Sequence, residues 1–272
     1  TMMRALYTAA SGMRAQQTNV DNISNNIANV NTTAFKSQKT EFKSLLYQTI
    51  QTRTTSANGE EKPIGAQVGL GTRVASNTTS YTQGALLEDE SKSAFAIEGN
   101  GFFQVRVADG TTYYPRNGNF NWSIGPTGTT LTNTDGYPVL DSNGNTIVLP
   151  NNVNSEKAVV TTDGQVVYYN NAGAYVSMNR TIGLSQFNNP AGLEKAGSNL
   201  LRATNASGAA LNEATNANLT RSKIHQSYLE GSNVQVADEM VNLIVAQRAY
   251  QLNSKAITTS DDMLEQANNL KR

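Results

Sequence analysis

The residues best suited to chemistry are few. The chain has 272 residues, one histidine (His225) and no cysteine. Imidazole clusters, thiolate metal sites, disulfide frameworks and a Ser/His triad therefore have almost nothing to be built from. His225 has no obvious carboxylate or nucleophile beside it in sequence and reads as a surface or packing histidine. Asp141, Asn143 and Asn145 alternate as calcium-loop ligands do. An EF-hand loop, however, needs glycine at its sixth position and a bidentate Glu at its twelfth. Here glycine comes fourth, as Gly144, and the twelfth residue is Asn152, so a hairpin turn is the reading. The glycines of the run Gly65 to Gly71 lack the Lys-Ser/Thr of a phosphate loop. Glu88-Asp89-Glu90 is most simply a solvated acidic turn. The 21 acidic residues include enough carboxylates for glycoside hydrolysis, but nothing singles out a pair. The sequence points to no catalytic residue, no metal and no cofactor.

Charge and hydropathy exclude further classes. Lys+Arg and Asp+Glu both number 21, giving a net charge of zero without a dense basic cluster, which argues against nucleic acid as a partner. No apolar run approaches the roughly 20 residues that cross a bilayer, so the chain is not expected to be membrane-inserted. The start, Met2-Met3-Arg4-Ala5-Leu6-Tyr7, leads into polar residues without the apolar stretch of a cleaved signal peptide. Export, if it occurs, is expected to use another route.

What remains is architecture. Residues 2 to about 50 hold no proline and one glycine, Gly12; those from about 233 to 272 hold neither; the stretch between holds all six prolines and most glycines. Both ends therefore read as helix and the middle as strands and loops. Leu6, Met13, Val20 and Ile27 recur every seven residues, as do Leu243, Tyr250, Ile257 and Leu264, which Met240 extends backwards. Such a repeat is the seam of a coiled coil. Ala5, Ala9 and Gly12 form a strip of small residues on which another backbone can close. A second C-terminal set, Val241, Val245, Leu252 and Met263, lies nearly opposite the seam. Two opposed stripes imply burial from two sides, either inside one globule or, as preferred for a terminal helix beyond a β-rich body, between molecules. Ser232 and Gln235 have the spacing of a capping box.

The middle is punctuated by Asn58-Gly59, Asn100-Gly101, Asp109-Gly110, Asn117-Gly118, Asp135-Gly136, Asn143-Gly144 and Asp163-Gly164. These pairs suit tight hairpin turns. Between them lie β-prone runs, Phe102 to Val107, Thr146 to Leu149 and Gln165 to Tyr169, with no βαβ alternation. The fold class expected is α+β. A terminal helical polymerisation domain (1–35 with 233–272) is joined by an extended connecting segment (36–82) to a β-rich body (83–232).

The two ends also carry a resemblance. The run Gln16 to Lys36, with Asn22, Asn25, Asn26, Ala28, Asn29 and Phe35, is similar to the N-terminal signature of bacterial flagellar rod and hook proteins. Ser232-Asn233-Val234, Glu239 to Ile244, and Gln247-Arg248-Ala249-Tyr250-Gln251-Leu252-Asn253 resemble the matching C-terminal signature. Gln83-Gly84-Ala85-Leu86 and Ala96 to Phe103 look like the entry to the family's middle domain. Leu45 to Ile50, a polar stretch, and then Gly65 to Gly71 look like the rod members; hook members are usually longer. The resemblance implies a structural subunit of the distal part of the rod. Its terminal helices pair as a coiled coil around a hollow, straight, rigid tube that transmits torque and encloses the export channel. It implies a homopolymer in the basal body across the periplasm. The implied partners are proximal rod subunits, hook or hook-junction subunits, the periplasmic and outer-membrane bushing rings and the export apparatus. A hook or proximal rod subunit is the alternative within the family. A carbohydrate-binding, adhesin-like stalk is the alternative outside it. Asn19, Asn22, Asn26 and Asn29 would bond neighbours, line a wet lumen or form a plain solvated face. Tyr47, Ile50, Pro63, Ile64 and Gly71 belong to a segment expected to dock on neighbouring subunits and stiffen the polymer.

Overall fold

The computed structural model describes residues 2–51, 66–125, 128–150, 153–170 and 174–270. They form an N-terminal helix α1 (Met2–Ala28), a β-rich middle and a C-terminal helix α2 (Val236–Asn269), an α+β fold. The chain divides into two compact units. One takes residues 1–28, 38–79 and 235–272; the other takes 29–37 and 80–234.

In the helical unit, α1 and α2 lie side by side and antiparallel. Gly12 faces Asn253, and two heptads further along α1 the Asn26 amide reaches Glu239 Oε1 at 3.3 Å. A Cβ on Gly12 would stand 2.8 Å from Asn253 Nδ2, so glycine is what lets α2 approach here. That contact justifies a residue that costs about 1 kcal/mol in a helix interior. α2 carries Asp238 and Glu239 in its first turn, where they complement the helix dipole. The capping box does not form. Gln235 is the N-cap and makes no side-chain cap bond, while Ser232 Oγ accepts from the Val234 amide two residues on, which ties it into a local turn.

The described residues of the segment 36–82 are more structured than an extended connection. Strand β1 (Gln38–Ser44) pairs antiparallel with β4 (Thr72–Thr79), and between them β2 (Tyr47–Gln51) pairs with β3 (Ala66–Gly69). This ribbon packs along α1. The Asn26 carboxamide accepts from the Gln38 amide and donates to the Gln38 carbonyl, both at 2.9 Å, as a neighbouring strand would. Asn22 Nδ2 donates to Thr40 Oγ1 at 2.6 Å. Asn22 and Asn26 are thus spent inside the chain, and Asn26 is buried; a solvated or lumen-lining face is corrected for this pair. At the other end of the ribbon, Ser11 Oγ accepts from the Thr72 amide at 3.2 Å. The adjoining Gly71 has φ of +115°, and a Cβ there would fall 2.1 Å from Ser11 Oγ.

In the body, every strand pair is antiparallel. Leu86–Glu88 pairs with Tyr228–Glu230, and Phe95–Glu98 with Lys223–Gln226, so the first strands of the body close against its last. Phe102–Phe103 pairs with Leu184–Gln186; Phe120–Gly125, Gly128–Asn133 and Val148–Leu149 form one sheet; Ala158–Val160, Gln165–Tyr169 and Tyr175–Thr181 form another. The main core gathers Phe95, Ile97, Phe103, Val105, Phe120, Leu131, Val139, Ile147, Val166 and Ile224. A smaller one gathers Phe102, Phe187, Leu193 and Leu201. Gly110, Gly136, Gly144 and Gly164 all have φ between +80° and +84°, the left-handed turn conformation that their Asp-Gly or Asn-Gly pairs imply. Asp141 Oδ1 accepts from the Asn143 and Asn145 amides, both at 2.8 Å, and Oδ2 pairs with Arg180. The calcium-like spacing is a hairpin turn. Asn58-Gly59 lies outside the described residues.

Candidate polymerisation surface and buried charge cluster

On the helical unit, the most enclosed side chains are not the seven-residue stripes themselves. Ala9, Ala15, Ile23 and Asn26 are buried on α1, and Ala246 alone on the described part of α2. Leu6, Met13, Val20 and Ile27 are half-buried, as are Leu243, Ile257 and Leu264, while Met240 and Tyr250 are exposed. Val20 and Tyr250, with Gln17, Gln247 and Gln251, line a cleft of about 290 Å³ between the two helices. The opposite stripe is open: Val241, Val245, Leu252 and Met263 are all more than half exposed, joined by Ile244 and Val236. On the ribbon, Phe42, Leu46, Tyr47, Ile50, Val68 and Leu70 are exposed. A long helix and a hairpin that leave this much apolar surface in water lack the cover that normally stabilises them.

The signature residues separate by role. Asn22 and Asn26 bind the ribbon, Asn253 packs on Gly12, and Arg248 donates to Gln251 Oε1 along α2 at 3.3 Å. Asn25, Ala28 and Gln247 are exposed and Ala249 is half-buried. In the body, Asn29 Oδ1 accepts from Thr32 Oγ1 at 3.1 Å, and the Phe35 carbonyl accepts from the Asn233 amide at 3.3 Å. Pro63 and Ile64 lie outside the described residues.

Inside the body stands a charge cluster that sequence pattern did not reveal. Glu230, 2% exposed, accepts from Lys36 Nζ at 2.7 Å, from Arg116 Nε at 2.6 Å and from the Gly84 amide at 2.9 Å. Arg116 also donates to the carbonyls of Ile97, Gly99 and Gly101, and Lys36 to that of Thr82. Burial pushes the Glu230 carboxyl upward, but Arg116 and Lys36 together outweigh it and hold the group below its ordinary value. Burial lowers Lys36, against the pull of Glu230. Asn233 adds a second knot. Its Oδ1 accepts from the Ser37 amide at 2.8 Å and its Nδ2 donates to the Ser80 carbonyl at 2.9 Å, while the Ser80 amide donates to the Ser37 carbonyl. Lys36 and Asn233 lie within the signature runs, which is the only signal that marked them; Arg116 and Glu230 had none.

His225 does have a carboxylate partner, contrary to its sequence surroundings. Its strand pairs with Phe95–Glu98, and Nε2 lies 2.8 Å from Glu98 Oε2. The bond from His225 lowers the Glu98 carboxyl. Both groups are solvent-accessible, as in an ordinary surface pair. Among the described residues, no group of three or more His, Asp or Glu is placed to hold a metal, and no helix is long and apolar enough to cross a membrane.

Three family models match this arrangement in order. "Flagella basal body rod protein" covers residues 6–36, "Flagellar hook protein FlgE/F/G D1 domain" covers 96–168, and "Flagellar basal body rod FlgEFG protein C-terminal" covers 225–270. They span α1, the first half of the body and α2. Full-length relatives narrow the class. The flagellar basal-body rod protein FlgG of Borreliella burgdorferi is 42% identical over all of this chain and all of its own. That of Agrobacterium fabrum is 42% identical over 96% of this chain and 97% of its own. That of Buchnera aphidicola from Acyrthosiphon pisum is 38% identical over 99% and 100%. The chain belongs to the flagellar basal-body rod family, and it is a structural subunit of the rod in the flagellar basal body, not an enzyme.

Proposed function

We propose that this chain polymerises through α1 and α2 into the distal part of the rod, a hollow, straight and rigid helical tube that transmits torque and encloses the export channel. The observation that carries the reading is the uncovered apolar stripe of α2, Val241, Val245, Leu252 and Met263, opposite the side that meets α1. In the polymer, neighbouring copies bury it, and the half-buried seam residues Leu6, Met13, Val20, Ile27, Leu243, Ile257 and Leu264, with Met240 and Tyr250, complete a coiled-coil-like packing. A heterologous contact repeated with a rise gives an open filament rather than a closed ring. The ribbon's exposed Tyr47 and Ile50, with the segment to Gly71, dock on adjacent copies and resist sliding. The polymer crosses the periplasm, meets proximal rod subunits below and hook or hook-junction subunits above, and turns within the bushing rings. Its subunits arrive through the flagellar export apparatus.

Electron microscopy of polymers tests this. Leu243→Asp places an unpaired charge in the packed seam, a cost of several kcal/mol per subunit, and is expected to abolish filaments while the body stays folded. Normal filaments from that variant would remove the seam assignment. Deleting residues 53–62 is expected to give curved or flexible polymers; straight, equally stiff ones would leave that segment a passive loop.

A further inference from the structure

Lys36 and Arg116 are joined directly as two cations on one carboxylate, Glu230, all three nearly out of water. A further buried carboxylate, Glu213, accepts from Ser222 and from Gln186 and pairs with neither cation. Among the described residues, Lys36 Nζ has two acceptors for its three hydrogens, the Thr82 carbonyl and Glu230. Among the described residues, the Arg116 guanidinium has four acceptors for its five hydrogens, Glu230 and the carbonyls of Ile97, Gly99 and Gly101. A surplus buried cation is costly unless an anion meets it.

A cavity of about 290 Å³ opens on these two residues. Tyr81, Phe102 and Phe187 wall it, and the Arg116 guanidinium carbon lies 5.9 Å from the centre of the Phe102 ring. Burial pushes the Tyr81 phenol up to about 12, so it stays neutral and able to donate. Asn100 and Asn188 stand exposed among the lining residues. Three aromatic side chains share the lining with Lys36, Arg116, Gln186 and the two asparagines, and the volume suits one ring or short alkyl stem with a single acidic head.

We propose that this cavity is a binding site for a carboxylate borne on an apolar or aromatic stem, its head balancing Lys36 and Arg116 and its stem lying against Phe102 and Phe187. Nothing in the rod assignment requires the site, and it stands whether or not the polymer model holds. The carboxylate has two possible sources, a free solute or an acidic side chain of a neighbouring copy.

The test titrates the full-length monomer with benzoate, with benzyl alcohol as the neutral control, following amide shifts of residues around the cavity. Benzoate is expected to bind at least tenfold more tightly than benzyl alcohol. Lys36→Gln, which leaves Arg116 and Glu230 balanced, is expected to erase that preference. Should Lys36→Gln fail to fold, Asn188→Trp carries the test: it obstructs the cavity from an exposed position and is expected to weaken benzoate at least tenfold. Equal binding of benzoate and benzyl alcohol, or benzoate binding unchanged in the folded variants, would overturn the site. Repeating the titration on assembled polymer separates the sources. Unchanged uptake supports a free solute, and exclusion from polymer, with slower assembly in benzoate, supports a neighbour's side chain.

Discussion

Glu230→Gln is the sharpest probe of what holds the body together. The substitution keeps the shape of the side chain and removes its charge. Lys36 and Arg116, which now stand 2.7 and 2.6 Å from its two oxygens, would be left as two cations without an anion. Breaking a buried pair by removing one partner costs about 3–5 kcal/mol, and exposure of 2% leaves no reason to discount that figure for solvent. For a domain of this size, 1 kcal/mol moves the melting temperature by about 2–4 °C, so the body should melt about 6–20 °C lower at pH 7. Trp122, the one tryptophan, packs against the main core of the body and reports its unfolding by fluorescence. The sign of the pH dependence follows from the lowered Glu230 carboxyl. Its contribution is fully present above the ordinary Glu value of 4.5 and is lost as pH falls through the lower folded value. The gap between wild type and variant should therefore be widest above pH 4.5 and close in acid. A melting point within about 1 °C of wild type at neutral pH, or a gap that widens in acid, would refute the assignment of Glu230 as the anion that neutralises the cluster.

Two further outcomes are expected. Asn233→Ala removes the side-chain bonds to Ser37 and Ser80; at about 1 kcal/mol each, hydrogen exchange of the Ser37 amide should quicken by an order of magnitude or more. Gly71→Ala forces a left-handed residue, costing about 1–2 kcal/mol, and drives a Cβ into Ser11 Oγ; it should speed exchange at the Thr72 amide, and Gly71→Ala with Ser11→Ala should restore part of the loss of stability that the clash alone causes.

The periodic and the local were legible in the sequence; the long-range was not. Proline-free, glycine-free composition marked α2, and four Asp-Gly or Asn-Gly pairs place left-handed glycines where their dipeptides imply them, whereas Gly101 and Gly118 do not take that conformation. The stretch after α1 was harder. Residues 38–51 also lack proline and glycine, yet they are strands, because β1 gains its partner from Thr72–Thr79, a pairing that no local pattern announces. The seven-residue stripes are only half-buried or exposed; α2 approaches α1 closely at Gly12, which the strip of small residues marks, but its partner there, the Asn253 amide, is one that hydropathy passes over. Lys36, Arg116 and Glu230 stand far apart in the chain and meet only through the fold, and single charged residues carry no signal of burial. The same holds for His225 and Glu98, which one strand pair brings together.

The closure of the body's first strands on its last sets an order of events. A chain that emerges N-terminus first, as from a ribosome, presents Leu86–Glu88 long before Tyr228–Glu230 can pair with it. Contacts of such sequence separation form slowly, because the intervening loop must first be closed. Until residue 230 is out, Lys36 and Arg116 have no carboxylate and the body stays open. The residues that follow at once are those of α2. Completion of the body and delivery of the helix with the bare apolar stripe thus fall within the same short stretch of chain, so a half-emerged molecule, though its ribbon is already out, has neither a finished body nor the α2 stripe.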